Sequence, residues 1–360
     1  LGSPELDNFK YNMQGGFAGP NARGARGVVL PLDDDATDAI REAIWRETLQ
    51  RYEFARNMYD QAKTRATVSV EDEDKAPCFS DAPMVRYYEA PLAAGRQKMD
   101  IKRAWEQRLN EVSAVFKTCP ELSEGSASFS FQILRTYFVN SEGSLVVQNR
   151  VATRVMLMAS LKAADGMELP LNRDYFAYTP DDLPDNDRMI ADARDMIKRL
   201  LALRDAPVAD PYTGPAILSG PASGVFFHEI FGHRLEGHRL KSGGQTFKKM
   251  VGEQVLPVEF QVYCAPLLKR YADTDLYGHY VYDDEGVKAR RVDNVVNGVL
   301  KEFLMSRVPL DGFPSSNGHG RTSGGGDPVS RQSNLIIETS HPYTEDELRA
   351  MLVAEAQKQG

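Results

Sequence analysis

Residues 227–233 read F-H-E-I-F-G-H. His228 and His233 bracket the segment, and Glu229 directly follows the first histidine. Neutral imidazoles are good ligands for Zn²⁺, and a carboxylate beside such a site can take a proton from water as general base. In the related word H-E-x-x-H the two histidines are four residues apart, about 40° around a helix, so both rings share one face. Here the spacing is five, which on a regular α-helix separates the side chains by about 140°. One extra residue taken up as a π-bulge, with an i to i+5 hydrogen bond, brings them back to a common side. Gly232 lies inside the segment. A mid-helix glycine costs about 1 kcal/mol relative to alanine, which suggests a local need for a small or permissive residue.

Three of the six histidines, His228, His233 and His238, fall within residues 228–238, beside Glu229 and Glu236. Two imidazoles, a third protein ligand and an open position for water make a catalytic zinc site. The metal lowers the pKa of its water to about 7, and Glu229 is placed to act as general base on that zinc-bound water. The competing account is that these are ordinary surface or core histidines, clustered by composition.

The elements that must position these residues are legible from periodicity. Ile40, Ile44, Tyr52, Ala55, Tyr59 and Ala62 recur at helical spacing, as do Ile101, Trp105, Leu109, Val112 and Phe116. Residues 65–72 and 84–90 read as strands. From Ser126 the period changes to two, and 140–143 (NSEG) reads as a hairpin turn within an antiparallel meander that runs to about Ala164. Met189, Ala193, Met196, Ile197, Leu200 and Leu203 mark a further helix. The proline-rich stretch 205–215 has little periodicity and marks a domain boundary. Beyond it, 216–220 reads as a short strand, and 221–240 as a helix carrying the histidines, with Ser223 a candidate N-cap. Asn297-Gly298 between apolar runs predicts a type I′ hairpin. The segment VSRQSNLIIET reads as a final strand, and Thr344 with Glu347 has capping-box spacing for a last helix.

The expected fold is α+β in two domains. Residues 1–210 place helices on a mostly antiparallel sheet, and 211–360 form a strand-rich domain carrying the HExxxH helix. The chain has 360 residues, 42% hydrophobic and 26% charged, which suits globular domains with sizeable cores. A formal net charge of −8 argues against an extended basic face for nucleic acid. No apolar run is long enough to predict a membrane span. Three cysteines without C-x-x-C spacing favour a reducing compartment, hence a cytoplasmic location. The chain begins at Leu1, which leaves an exported form with a removed signal peptide as the alternative.

The stretch SGVFFHEIFGHRLEG resembles the HExxxH helix of the TldD/PmbA family of zinc peptidases. The likeness continues in order through VYDDEGVKARRVDNVVNGVLKEFLMSR (281–307), SSNGHGR (315–321) and PVSRQSNL (328–335). It covers about residues 205–358 and lies closer to the TldD side, since PmbA-type members often lack the HExxxH residues. The resemblance implies a zinc-dependent metallopeptidase that hydrolyses short or unfolded peptides, held as an added strand in an enclosed cleft. His228 and His233 match its metal ligands and Glu229 its catalytic glutamate. A dimer is implied, either with itself or with a PmbA-type partner. The family's third ligand is a cysteine in a glycine-rich loop beyond residue 360, so the domain here is expected to lack its C-terminal part. Cys264 and His238 are the available substitutes. The other reading is a non-catalytic peptide-binding or partner subunit. Asp283, Asp284 and Glu285 suit a hard cation in principle, although a turn and sheet-edge role fits the family better. His319 and Arg321 are candidate contacts to a bound peptide, with a surface loop as the alternative. Arg331 and Asn334 are expected on a strand near the cleft.

Overall fold

The fold was obtained as a computed structural model and describes residues 28–359 apart from 32, 34, 67–75, 78, 93–96, 242–245 and 323–326. The strand expected over 65–72, the acidic run behind it and Cys78 therefore lie wholly or largely outside the described residues. In chain order the larger elements of the first half are α1 (Thr37–Ala66), β1 (Arg86–Tyr88), α2 (Gln97–Ser113), β2 (Leu122–Val139), β3 (Leu145–Lys162), β4 (Glu168–Ala177) and α3 (Asn186–Arg204).

The period-two stretch makes two long antiparallel strands, β2 and β3, joined through 140–144, where Gly143 takes a φ of +89°. The other edge of β3 pairs with β1, in parallel, at its start and with β4, antiparallel, toward its end. Alternation puts Val155, Leu157, Ala159 and Leu161 of β3 on one buried face. Trp105 and Val112 of α2 and Met189, Ala193, Met196 and Leu200 of α3 cover it, so both predicted stripes find their partner. Trp105 stacks on Phe129 of β2 with centroids 4.4 Å apart. The α1 pattern forms its helix without burying its stripe: Ile44 and Tyr52 are each more than half exposed. Periodicity sets the helix, but burial depends on what packs against it.

The second half contains α4 (Gly220–Phe226), a π-helical turn (Phe227–Phe231), a 3₁₀ turn (Gly232–Leu235) and α5 (Gly237–Lys241). Next come β5 (Phe260–Cys264), β6 (Arg270–Tyr271), β7 (Thr274–Asp275), β8 (Val292–Val296) and β9 (Val299–Leu300). The remainder is β10 (Gly320–Arg321), β11 (Val329–Ser330), β12 (Leu335–Thr339) and α6 (Glu345–Gln359). One sheet runs in the order β12-β5-β8-β9, all antiparallel. Asn297 and Gly298 have φ of +49° and +76°, the two left-handed residues that a type I′ turn demands. Thr344 and Glu347 exchange side-chain to backbone hydrogen bonds at the start of α6, completing the capping box.

Several expectations are corrected. Residues 216–219 form no strand, and Ile217 and Leu218 are exposed, because no neighbouring strand pairs with them. Ser223 lies inside α4, whose N-cap position is Ser219. The final strand is two pieces, β11 and β12, and the intervening 331–334 leaves the ladder to reach other partners. No helix among the described residues is long and apolar enough to cross a membrane.

Side chains link the two halves. Arg307, nearly fully buried, donates to both carboxylate oxygens of Glu142 at 2.6 Å and to the Ser80 carbonyl through Nε and Nη2. Gln148 on β3 donates to the carbonyl of Tyr282 and accepts from its amide.

Candidate metal centre

The histidine segment is three short helical pieces in place of one helix. At its centre the Gly232 N–H donates to the carbonyls of both His228 and Phe227, the latter an i to i+5 bond. That is the widened turn which a five-residue spacing needs. It ends in the 3₁₀ turn because the backbone of 235–237 is recruited elsewhere. Leu304 N–H donates to Leu235 O at 2.8 Å, and Gly237 N–H to Leu304 O at 2.9 Å, forming a bridge between Glu236 and Leu304.

Phe231 and Leu235 are buried against Val262, Val292 and Val295 of the sheet, with Phe227 packed beside them. This apolar side anchors the turn, and the polar residues take the other side. The rings of His228 and His233 have centroids 4.7 Å apart and an interplanar angle of 69°. Glu229 reaches both: Oε1 lies 3.7 Å from His228 Nε2, and Oε2 lies 3.6 Å from His233 Nε2. Ligand atoms of these three residues all fall within 4.8 Å of one another, and they form the one such group of acidic, histidine and cysteine side chains among the described residues. Two imidazoles on an open side, with a carboxylate beside them, fit a divalent transition metal such as Zn²⁺.

Glu236 and Arg331, both noted in the sequence, and Gln332, which was not, complete the surroundings. Glu236, fully buried, places Oε1 2.9 Å from His233 Nδ1. Its Oε2 accepts from Arg239 Nε at 2.6 Å and from Arg331 Nη1 at 3.4 Å. Gln332 donates through Nε2 to the His228 carbonyl at 3.3 Å. A Cβ at position 232 would overlap the Gln332 side-chain amide, while Gly232 itself keeps an ordinary helical φ of −59°. The glycine therefore serves as a small residue that admits the Gln332 amide, the first of the two needs, small or permissive, that its sequence context suggested.

The proposed substitutes for a third ligand are not in the group. His238 is buried rather than exposed, and burial holds its imidazole down at about 4. Cys264 is fully buried in β5, its thiol pushed up to about 12 by burial, as an inert core cysteine is. His319 is corrected from a candidate peptide contact to a core residue. It is fully buried, with Nδ1 3.1 Å from Asn317 Oδ1 and Nε2 3.3 Å from Ser333 Oγ. Arg321 pairs with Asp284 at 3.0 Å and stacks on Tyr280. Asp283 accepts from the amides of Glu285, Val287 and Gly320, which is the turn role and not a cation site. Arg331 and Asn334 stand between strands. Arg331 faces Glu236, and Asn334 donates to the carbonyls of Ala265 and Leu268.

Residues 211–356 match the model of the PmbA/TldA metallopeptidase C-terminal domain. This segment belongs to the PmbA/TldD family. A metalloprotease of Archaeoglobus fulgidus is 34% identical over 132 residues, covering 37% of this chain and 29% of that protein. A metalloprotease of Methanocaldococcus jannaschii is 28% identical over 220 residues, 59% of this chain and 46% of the relative. The chain thus spans less than half the length of either relative. The crystal structure of TldE from Thermococcus kodakarensis superposes with a TM-score of 0.52 at 18% identity, covering 88% of this chain and 66% of that one, a likeness of fold alone.

Proposed function

We propose that this PmbA/TldD-family chain is a zinc-dependent peptidase acting on short or unfolded peptides, with His228 and His233 as metal ligands and Glu229 as general base. The observation that carries this reading is the π-helical turn, which sets Nε2 of both histidines beside the Glu229 carboxylate. A bound Zn²⁺ would supply Lewis acidity and acidify water at the site. Glu229 takes a proton from the attacking water as the water oxygen bonds to the peptide carbonyl carbon. It returns that proton to the departing amine nitrogen as the C–N bond breaks. The side chain of Glu229 is about half exposed, open to an incoming peptide. The substrate lies as an extended strand along the domain, and the working assembly is a dimer, with itself or with a PmbA-type subunit such as the TldE-like fold suggests.

The test is metal content by elemental analysis, paired with peptide hydrolysis. The expected result is about one zinc per subunit and loss of both metal and activity in His228→Ala. A protein that holds no zinc yet binds peptide unchanged in His228→Ala would instead be a non-catalytic subunit of such a complex.

A further inference from the structure

We infer that Glu236 is a positioning residue that fixes the tautomer and orientation of His233, so that Nε2 presents its lone pair to the metal. The inference rests on the metal-centre reading and deepens it. A carboxylate accepts hydrogen bonds only, so its 2.9 Å approach to Nδ1 requires the ring proton on that nitrogen. The lone pair of a neutral ring is then left on Nε2, the atom that faces Glu229. Two further donors approach Nδ1, Arg239 Nη2 at 3.3 Å and Gln332 Nε2 at 3.4 Å. Either would want Nδ1 as acceptor, but both are more distant than the carboxylate, and the shorter, charge-assisted bond decides the proton's place.

The carboxylate is itself held in place. Its backbone sits in the bridge to Leu304, and its second oxygen is taken by Arg239 and Arg331, brought from α5 and from the link between β11 and β12. The two guanidinium groups compensate the burial of the negative charge, which would otherwise be costly. They also leave Oε1 directed at the imidazole. A carboxylate that orients a ligating histidine in this way fixes the ring and its tautomer.

Two measurements test this. Long-range ¹H–¹⁵N correlation on the metal-free protein, with His233 assigned by comparison with His233→Gln, reads the tautomer directly. A protonated Nδ1 and a bare Nε2 are expected, and a protonated Nε2 with bare Nδ1 would overturn the proposal. Zinc affinity by chelator competition is then compared between the parent and Glu236→Gln. The amide can donate to Nδ1 and reverse the tautomer, so a loss of about 10- to 100-fold is expected with the fold retained. An affinity within twofold of the parent in a folded variant would sink the idea. Should Glu236→Gln fail to fold, the tautomer of the parent still decides. A parent that takes up no zinc removes the peptidase reading, yet the metal-free spectrum continues to test the role of Glu236.

Discussion

His228 and His233 stand five residues apart in sequence, yet their imidazole centroids are only 4.7 Å apart. A regular α-helix would turn the two rings about 140° away from each other. The i to i+5 bond from Gly232 to Phe227 removes that divergence, and Phe231 and Leu235 hold the widened turn on the sheet.

Glu229→Gln keeps the shape of the side chain and removes its basicity. Peptide hydrolysis is expected to fall by about 10²- to 10⁴-fold, with zinc content unchanged. Steady-state kinetics alongside elemental analysis checks this, and full activity in the variant would take Glu229 out of the reaction.

Gly232→Ala forces the Gln332 amide aside and breaks its contact with the His228 carbonyl. The displaced amide is the end of a flexible side chain, so the expected cost is at the low end of overpacking, about 1 kcal/mol. Adding Gln332→Ala relieves the overlap, so the double variant should be more stable than additivity allows, by at least about 0.5 kcal/mol. Urea denaturation of the parent, both single variants and the double variant completes the cycle. Strict additivity would mean that the glycine is there for another reason.

Arg307 joins Glu142 and the Ser80 carbonyl from the interior, with only 4% of its side chain exposed against 35% for Glu142. Arg307→Met should cost about 3 kcal/mol, at the low end for a broken buried pair because solvent reaches the carboxylate left behind. The guanidinium holds the Glu142 carboxyl below the usual carboxylate range. Its contribution is therefore present above the ordinary glutamate pKa and is lost as acid protonates it in the folded protein. A denaturant midpoint that is the same in parent and variant at pH 7 would contradict the assignment.

Burial pushes the Glu285 carboxyl up to about 8, with the negative charge of Asp283 adding to the shift. Asp283 is itself raised to about 6, chiefly by burial. The native state then binds more protons than the unfolded chain between the ordinary carboxylate pKa and these raised values. Stability from these groups is complete in acid below the unfolded pKa values and declines as pH rises, through about 6 for Asp283 and about 8 for Glu285. Glu285→Gln should flatten the upper part of that decline while keeping an acceptor for the Arg307 amide. Denaturation midpoints at pH 5 and pH 8 compare the two proteins, and an equal pH dependence would refute the assignment.

The sequence alone determined the local features. The change from a 3.6-residue to a two-residue period marks α2, the β2–β3 pair and α3, because backbone geometry fixes which side chains share a face, whereas β4 lies beyond the expected end near Ala164. Asn297-Gly298 and Thr344 with Glu347 specify their turn and cap through contacts within a few residues. That His228, Glu229 and His233 could come together was also legible, since one residue taken up in a π turn restores a common side for a five-residue spacing. Tertiary structure decided the rest. Gln332 and Arg331 are brought to the His233–Glu236 pair by the link between β11 and β12, and Glu236, already beside the histidines in sequence, is aimed at His233 by its bridge to Leu304. His319 and Arg321 look like loop residues by composition, yet one is enclosed in the core and the other is paired with Asp284. The physical reason is that burial and hydrogen-bond partnership depend on which distant segments close over a residue, and local periodicity carries no record of that.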